Sequence, residues 1–482
     1  MAINQHNIQQ GINSLHRRAF LKRLSAASAM GAAAPLALNL AAAGEAAAFE
    51  SNDYKALVCI FLYGGNDHAN TVVPYDLPNY DRYSAIRGGG AGRTAGGIAF
   101  GRDQIAPNAL TPRVSQTLTD DLQYALAPGL TALKPIWNAG QLAIQLNVGP
   151  LVTPLTLAQF KSNDRIAYPL PPRLFSHNDQ QSVWQSLGAE GASAGWAGRL
   201  GDLAMSGNAN SSLTSISAGG NAVLMSGNDV LQYQVSTKGP SPVYSTLYDR
   251  YGGAAKGSVL RSLITQPSTN LLENEFAVVT KRALDLQESV ATALKGVTLN
   301  TSFDINNKPN SLADQLQIVA RLIGARNTLG AKRQVFFVQL NGFDQHDKLI
   351  ADHGLRMGLL NEAMGQFQLA MGELGVANKV TTFTASDFGR TLSSNGDGSD
   401  HGWGAHHFVM GGAVQGGRYS GTAPHISIAT DDQVGQGRLL PSTSVDQYAA
   451  TLARWFGVSA TELPAIFPNV ANFATANVGF MG

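Results

Sequence analysis

The sequence has almost no cysteine, since Cys59 is the only one among 482 residues. A single cysteine excludes an internal disulfide and a cysteine-rich cofactor site. Cys59 lies in the apolar run ALVCIFLY, so we interpret it as a small core residue. Covalent stabilisation by disulfides is therefore excluded, even in an oxidising compartment.

Net charge and long apolar runs are also scarce. The chain has 34 basic and 33 acidic residues, a formal charge of +1, and residues 1–48 contribute four of the basic residues and one acidic residue. Without those residues the net charge is −2, which argues against nucleic-acid binding. After them, no segment approaches the ~20 apolar residues of a membrane span. No G-x-G-x-x-G motif follows a predicted strand, so a dinucleotide-dependent oxidoreductase is not supported.

The N-terminus, in contrast, is rich in features that are typical of an export signal. Arg17 and Arg18 in HRRAFLK precede an Ala-rich, weakly apolar stretch, and Ala46 and Ala48 form an A-x-A cleavage site. This order resembles a twin-arginine signal peptide over residues 1–48. It implies the twin-arginine export machinery as a partner and a periplasmic or secreted mature protein. The alternative is an ordinary amphipathic helix with two basic residues.

Four continuous apolar runs predict buried parallel strands. They are ALVCIFLYGGND, GQLAIQLNVGP, QVFFVQLNGFDQH and KVTTFTASDFGR. The apolar face of a helix lies between the last two and consists of Leu360, Met364, Phe367, Met371 and Leu374. A strand, a helix and a strand in this order make a βαβ unit, so we predict an α/β fold.

The chain after the signal is long enough for one large α/β domain over residues 49–482. Residues 198–332 differ from their flanks, because they begin rich in Ser, Gly and Asn and continue with helical stretches. We expect this segment to be an insertion or a cap over a mostly parallel sheet.

Three of the predicted strands each end near an aspartate, namely Asp67, Asp344 and Asp387. In an open parallel sheet, the carboxyl ends of the strands border one crevice, where binding sites form. Three carboxylates that meet there would repel one another unless a cation or protons compensate their charge. The pattern therefore predicts a divalent metal site at this edge of the sheet.

Histidines accompany these aspartates. His346 follows Asp344 by two residues. The glycine-rich stretch TASDFGRTLSSNGDGSDHGWGAHHF carries further candidates, namely Asp400, His401, His406 and His407. Mixed histidine and carboxylate ligands suit zinc, whereas carboxylates with water suit magnesium, calcium or manganese. The alternative is a surface loop with incidental histidines, and the sequence leaves open whether His406 or His407 faces inward.

Ser176 is the candidate nucleophile. It precedes a predicted helix, where backbone N–H groups favour an anion and a nearby metal would activate the hydroxyl toward phosphate or sulfate esters. The alternative is a helix-capping serine, because Asp179 follows three residues later. His177 would orient the substrate or bind metal, and Thr71 is a second candidate hydroxyl. Arg390 would hold the anionic ester substrate or form an ion pair with a surplus aspartate.

The chain as a whole resembles domain-of-unknown-function family 1501, from about Leu57 to the C-terminus. The resemblance is carried by the export signal and by LYGGNDHANTVVPYD, FSHNDQQSVW, GWAGRL, NGFDQH, SDFGRTLSSNGDGSDHGWG and GGAVQGGRYSG. That family is similar to the alkaline phosphatase and sulfatase superfamily. The resemblance implies an α/β/α sandwich with two divalent metals at the carboxyl edge of the sheet.

The resemblance also implies roles for single residues. Metal ligands would be Asp67, Asp344, His346 and Asp387, with His401 or one of His406 and His407 as the final histidine, and Ser176 would be the nucleophile. Three features depart from the superfamily pattern. Phe388 stands where a metal-binding histidine is usual, the Asp-His-Gly triplet occurs later, at residues 400–402, and the Asp344/His346 pair is more tightly spaced than usual. These departures concern the second metal.

The sequence thus leads to two hypotheses. The first is an exported metal-dependent hydrolase in which Ser176 attacks a phosphate or sulfate ester. The second is a non-catalytic, metal-stabilised binding or scaffold protein of the cell envelope, which the phenylalanine at position 388 favours.

Overall fold

The computed structural model describes residues 53–89, 97–242, 254–305 and 308–482. The predicted signal peptide, residues 1–48, lies outside the described residues. Tertiary contacts group the described residues into one compact unit. Within these ranges, every helix is too short or too polar to span a membrane.

Strands form the centre of the molecule. In chain order they are β1 (Lys55–Tyr63), β2 (Val72–Pro74), β3 (Tyr124–Leu126), β4 (Leu142–Gly149), β5 (Ser215–Ser217), β6 (Tyr233–Gln234), β7 (Arg333–Asn341), β8 (Val380–Ser386), β9 (Ala405–Met410), β10 (Arg418–Ser420) and β11 (Thr443–Ser444). Nine of these strands, counted within the described ranges, form one sheet in the order β10-β4-β9-β8-β1-β7-β5-β6, with β11 also beside β4. The short β2 and β3 pair separately.

The sheet is mostly parallel. The strand β1 runs parallel to both β7 and β8, and β4 runs parallel to β10 and β11. The exception is β9, which pairs antiparallel with β4 and β8. Its first residue, Ala405, lies opposite Val148 at the end of β4. The loop between β8 and β9 therefore stays at the edge where the parallel strands end, and this edge carries the candidate site.

Helices cover the sheet. They are α1 (Leu77–Ile86), α2 (Arg102–Ile105), α3 (Leu133–Asn138), α4 (Leu157–Lys161), α5 (His177–Ser186), α6 (Trp196–Ala204), α7 (Ala254–Ile264), α8 (Leu271–Lys295), α9 (Ser311–Gly324), α10 (Leu349–Glu373), α11 (Val445–Phe456) and α12 (Leu463–Ile466). The predicted apolar helix face is confirmed in α10, where Leu360, Met364, Phe367 and Met371 are buried.

Both faces of the sheet are covered, because alternate residues of a strand point to opposite sides. On one face, Val58 and Ile60 of β1 belong to the core that contains Phe367 of α10. On the other face, Cys59 and Phe61 line a small apolar gap together with Trp184, Trp196 and Tyr448 from α5, α6 and α11. The predicted α/β fold, with helices on both sides of a mostly parallel sheet, is confirmed.

The segment predicted as an insertion or cap contributes to the body of the fold. In residues 198–332, β5 pairs with β7 and so extends the sheet. The buried face of α9 belongs to the same core as α10. The described part of the segment thus supplies a strand and a core helix, and its description as an insertion or a cap stays a prediction.

Candidate metal centre

The candidate site lies just beyond the end of β7. Asp344 Oδ1 lies 3.1 Å from His401 Nε2 and 3.0 Å from His346 Nε2. Asp344 Oδ2 lies 3.3 Å from His177 Nε2. We name these four residues, from three separate loops and helix ends, the Asp344 cluster. The structure thus brings together four of the residues that the sequence analysis singled out.

Two glycines allow the backbone to approach the cluster closely. Gly64, just after β1, has a φ of +114°, and a Cβ there would lie 2.4 Å from the amide nitrogen of Asp344. A Cβ on Gly398 would lie 2.2 Å from the carbonyl carbon of His346. Neither contact leaves room for a side chain. The two glycines therefore allow the residues after β1 and the loop between β8 and β9 to pack onto residues 344–346.

His401 is positioned by the loop between β8 and β9, which folds back through an antiparallel bridge between Arg390 and His401. Its Nδ1 atom lies 2.8 Å from the carbonyl oxygen of Phe175. A carbonyl only accepts, so Nδ1 carries the proton. Burial lowers the pKa of His401. The ring is therefore neutral near pH 7, and Nε2 presents a lone pair to Asp344.

His346 is held in a similar way by Asp400. The Nδ1 atom of His346 lies 3.2 Å from Asp400 Oδ1, and Asn395 donates to the same oxygen at 2.9 Å. Burial opposes ionisation of Asp400, but the bonds from Asn395 and His346 outweigh it and lower the pKa of this carboxyl. The Nε2 atom of His346 lies 3.1 Å from His401 Nε2.

The cluster therefore contains a triangle of potential ligand atoms, one carboxylate oxygen and two imidazole nitrogens, separated by 3.0 to 3.1 Å. Two imidazole nitrogens this close need a proton or a cation between them, because two facing lone pairs repel each other. Zinc with bonds of ~2.0–2.1 Å in tetrahedral geometry separates its ligands by about 3.3 Å. The donor types and their spacing thus fit one divalent cation.

His177 is the first residue of α5 and completes the cluster. Its Nδ1 atom lies 2.7 Å from Asp387 Oδ2, which leaves Nε2 directed at Asp344. Metal-binding histidines commonly donate their second ring N–H to a carboxylate in this way. Within the described residues, His177, Asp344 and His401 form a group of three potential ligands whose donor atoms lie within 4.8 Å of one another. The hydrogen bond to Asp387 raises the pKa of His177.

Asp387 was predicted as a metal ligand, but the structure places it behind His177. The side chain is fully buried, and its Oδ2 accepts from His177 and from Gln181 Nε2 at 2.8 Å. Its position is that of a carboxylate that orients a histidine. Gln181 was not predicted from the sequence, although its spacing of four residues from His177 puts both side chains on one helix face.

Arg390 was expected to hold an anionic substrate or to form an ion pair, and the structure shows the ion pair. Its Nη1 donates to Asp344 Oδ1 at 2.9 Å and to the carbonyl oxygen of Gly64 at 3.0 Å. Nε and Nη2 donate to the carbonyl oxygen of Ser399. Burial opposes ionisation of Asp344, but the hydrogen bond and charge of Arg390 lower the pKa of this carboxyl. With its donors bound, Arg390 positions Asp344 and does not face a substrate.

Asp67 does not join the cluster, contrary to the prediction that it would meet Asp344 and Asp387. Its Oδ2 forms a fully buried ion pair with Nη2 of Arg87. The Arg87 side chain also donates to the carbonyl oxygens of Ile98 and Leu392. The nearby candidate hydroxyl of Thr71 donates to the backbone oxygen of Asp67 and is buried as well. The sequence analysis did not identify Arg87 as a partner.

His406 and His407 also lie outside the cluster. They are successive residues of β9, so they point to opposite faces of the sheet, and both are buried. His406 accepts from the backbone N–H of Asn147, and its ring packs edge-on against His68. His407 packs against Trp184. Of the three histidines predicted as candidates for the final ligand, His401 lies in the cluster, and His406 and His407 lie elsewhere in the described structure.

Ser176 lies next to the cluster in the sequence and at the start of α5. Its neighbours Phe175 and His177 both contact cluster atoms, as described above. The hydroxyl donates to Asp179 Oδ2 at 2.8 Å, and no hydrogen bond from the helix reaches it. Ser176 thus occupies the capping position without capping the helix. Phe175 has a φ of +72°, a costly conformation for a residue with a side chain.

Phe388, which follows Asp387, fills space beside the cluster. The centre of its ring lies 4.8 Å from that of His177 and 4.6 Å from that of His401. Its neighbour Gly65 has no room for a Cβ, which would lie 2.4 Å from the ring. A phenyl ring donates no ligand, so the site has three imidazoles and one carboxylate around this ring.

Comparisons with known proteins give a family and several distant structures. The family model described as "Protein of unknown function (DUF1501)" matches residues 54–463. No curated protein matches the sequence.

Among solved structures, Ps i-CgsB in complex with k-i-k-neocarrahexaose is 10% identical, covering 87% of this chain and 77% of that chain, with a TM-score of 0.35. The PsFucS1 sulfatase from Pseudoalteromonas sp. is 9% identical, covering 90% and 74%, with a TM-score of 0.31. A mutant of the alkaline phosphatase PafA is 10% identical, covering 70% and 64%, with a TM-score of 0.27. No residue role is carried over at this level of similarity.

Proposed function

We propose that this chain, which belongs to the DUF1501 family of proteins of unknown function, is an exported metal-dependent hydrolase of phosphate or sulfate esters. The observation that carries the proposal is the triangle of potential ligand atoms formed by Asp344, His346 and His401. One carboxylate oxygen and two imidazole nitrogens at this spacing are a donor set that suits a divalent metal. A bound divalent ion would stabilise negative charge on the oxygens of an ester.

In the proposed cluster, each ligand has a partner that fixes its orientation. Asp400 holds His346, the carbonyl of Phe175 holds His401, and Arg390 holds Asp344. Metal affinity depends strongly on partners of this kind, because they fix the tautomer and the direction of the lone pair. The cluster is therefore organised before a ligand binds.

Ser176 is the proposed nucleophile. Its Oγ would form a bond to the phosphorus or sulfur atom, the bond to the leaving alkoxide would break, and Asp179 would accept the hydroxyl proton through the existing hydrogen bond. Water would then hydrolyse the serine ester in a second step. Two conditions favour this residue: a hydroxyl that is not used as a helix cap, and backbone N–H groups at the start of α5.

An anionic substrate also requires a cationic partner. Because the donors of Arg390 are occupied, we propose Arg173 for this role. It lies three residues before Ser176, its side chain is largely exposed, and its Nη1 is 3.9 Å from Asp179 Oδ2. A guanidinium near the hydroxyl can bind a sulfate or phosphate group through two parallel hydrogen bonds.

A panel of chromogenic phosphate and sulfate esters tests the function, with zinc and manganese supplied separately. The Ser176→Ala variant should bind metal normally and lose turnover, whereas His401→Ala should lose both. His425→Ala is the matched control, because His425 pairs with Asp432 outside the cluster. Metal binding without turnover on any ester would support the alternative of a metal-stabilised scaffold protein.

Export is proposed from the sequence pattern of residues 1–48. Replacement of Arg17 and Arg18 by lysine should retain the protein in the cytoplasm if the twin-arginine route is used. Cell fractionation would show the difference, and unchanged export of the double variant would contradict this part of the proposal.

A further inference from the structure

We infer that this chain binds one divalent cation rather than two, and that the Arg87 guanidinium supplies the positive charge at Asp67 that a second cation would otherwise supply. The inference rests on the metal site of the proposed function. The resemblance noted in the sequence implies two metals, with Asp67 as a ligand. The residues around Asp67 do not fit that role.

The first reason is the charge already present at Asp67. Its carboxylate and the Arg87 guanidinium are both fully buried and form a direct ion pair. Arg87 is fixed there by the carbonyl oxygens of Ile98 and Leu392 and lies near the ring of Tyr83. A divalent ion at this carboxylate would adjoin a positive charge in a fully buried pair, which costs more than at Asp344, where the carboxylate also pairs with an arginine but is exposed.

The second reason is the lack of further ligands. Among the described residues, no group of three or more potential metal ligands contains Asp67. Its Oδ1 is buried and has no protein partner within the described ranges. One free oxygen beside a guanidinium suits a water molecule better than an ion that needs four ligands.

The third reason is the identity of two neighbouring groups. Phe388 places a phenyl ring where the resemblance implies a histidine ligand. Asp387 uses Oδ2 for His177 and Gln181. A second cation would need ligands at three positions that serve other roles. Asp67 pairs with a guanidinium, Phe388 has no ligand atom, and Asp387 orients His177 of the first site.

Metal stoichiometry tests this inference without any substrate. Metal-free full-length mature protein would be saturated with zinc, freed of excess ion, and analysed for zinc and protein. We expect one zinc per chain. Two zinc ions per chain would overturn the inference alone, whereas none would overturn both the inference and the proposed function. Absence of ester hydrolysis with one zinc bound would count only against the function.

Variants locate the ion. The double variant Asp67→Asn, Arg87→Met removes both charges together, so that no unpaired buried charge remains, and it should still bind one zinc. His401→Ala should bind none. Loss of zinc from the double variant would overturn the inference, because Asp67 would then be a ligand. If the double variant does not fold, the stoichiometry of the unaltered chain decides the question.

Discussion

The Asp344 cluster and the Asp67–Arg87 pair arise from equivalent sequence patterns, an apolar strand followed by glycine and aspartate, yet they differ in what satisfies the carboxylate. At Asp67 the positive charge is part of the chain and fully buried. At Asp344 a buried arginine, Arg390, also pairs with the carboxylate, but the carboxylate is exposed and faces three histidines as well. The buried pair has one partner of opposite charge, whereas the exposed carboxylate has an arginine and three possible metal-binding side chains.

This difference teaches that an aspartate at the end of a parallel strand is not by itself evidence of a metal ligand. Both carboxylates pair with an arginine, so what distinguishes the two sites is the three histidines around Asp344 and its exposure. Arginine only donates, whereas a neutral imidazole also has a nitrogen that can bind a metal. Removal of the buried arginine at Asp67 should therefore lower stability, whereas removal of a histidine at Asp344 should lower metal affinity.

The largest expected effect is that of Arg87→Met on stability. It leaves Asp67 charged, buried and unpaired, so we expect the free energy of unfolding to fall by about 3–5 kcal/mol. Metal affinity per folded chain should not change. Chemical denaturation measures the loss, and the double variant with Asp67→Asn should recover most of it. An Arg87→Met variant as stable as the parent would show that the pair is not a buried structural element.

The next effect is that of His401→Ala on metal affinity. Loss of the His401 imidazole nitrogen should weaken zinc binding by at least ~100-fold, which corresponds to about 2.7 kcal/mol. The stability of the metal-free protein should change little, because His401 is partly exposed and acts at the site. Calorimetric titration with zinc measures the affinity, with His425→Ala as the control. Equal zinc affinities of the His401→Ala and His425→Ala variants would show that the metal does not bind at the Asp344 cluster.

The buried region should also be the more sensitive to acid. Burial lowers the pKa of His68 to about 3, with Arg87 adding to the effect. The unfolded chain takes up the proton near pH 6.5, and the native chain does not, so stability falls as pH decreases below 6.5. At pH 5 the lowered pKa of His68 should reduce the free energy of unfolding by about 2 kcal/mol.

His68→Asn should remove that part of the pH dependence. Denaturation at pH 7 and pH 5 would measure it, and the His425→Asn variant, at a partly exposed position, is the comparison. Equal slopes of stability against pH for the His68 and His425 variants would indicate that His68 is already protonated, or solvated, in the native protein.

The smallest expected effect is that of Gln181→Leu. Gln181 shares Asp387 Oδ2 with His177, so its loss should let the carboxylate and the imidazole reorient. Partners of metal ligands typically change affinity by 10–100-fold, and we expect about 10-fold here, because His177 keeps its own bond to Asp387. Zinc titration is the measurement. Gln232→Leu, a similar change remote from the site, controls for the substitution itself.

Much of the fold was predictable, because continuous apolar runs identify strands buried on both faces. The runs around Val58, Ile144, Phe336 and Phe383 are strands β1, β4, β7 and β8. The antiparallel β9 was not predicted. Its sequence AHHFVM is short and carries two histidines, which are buried only because tertiary packing provides aromatic neighbours.

The candidate site was predictable in its position more than in its composition. Asp344, His346, His401 and His177 were all identified as candidates, because they follow strand ends or start a helix. Arg87 could not be assigned to Asp67 from the sequence, since the two residues are 20 positions apart and meet through a loop and a helix. Which polar groups pair depends on side-chain geometry that no short motif contains.

The most direct test of the central claim is a zinc-edge anomalous difference map from crystals of the zinc-loaded protein. The account predicts one peak per chain, between the side chains of Asp344 and His401. A map with no peak at these residues, or with its peak at Asp67, would contradict it.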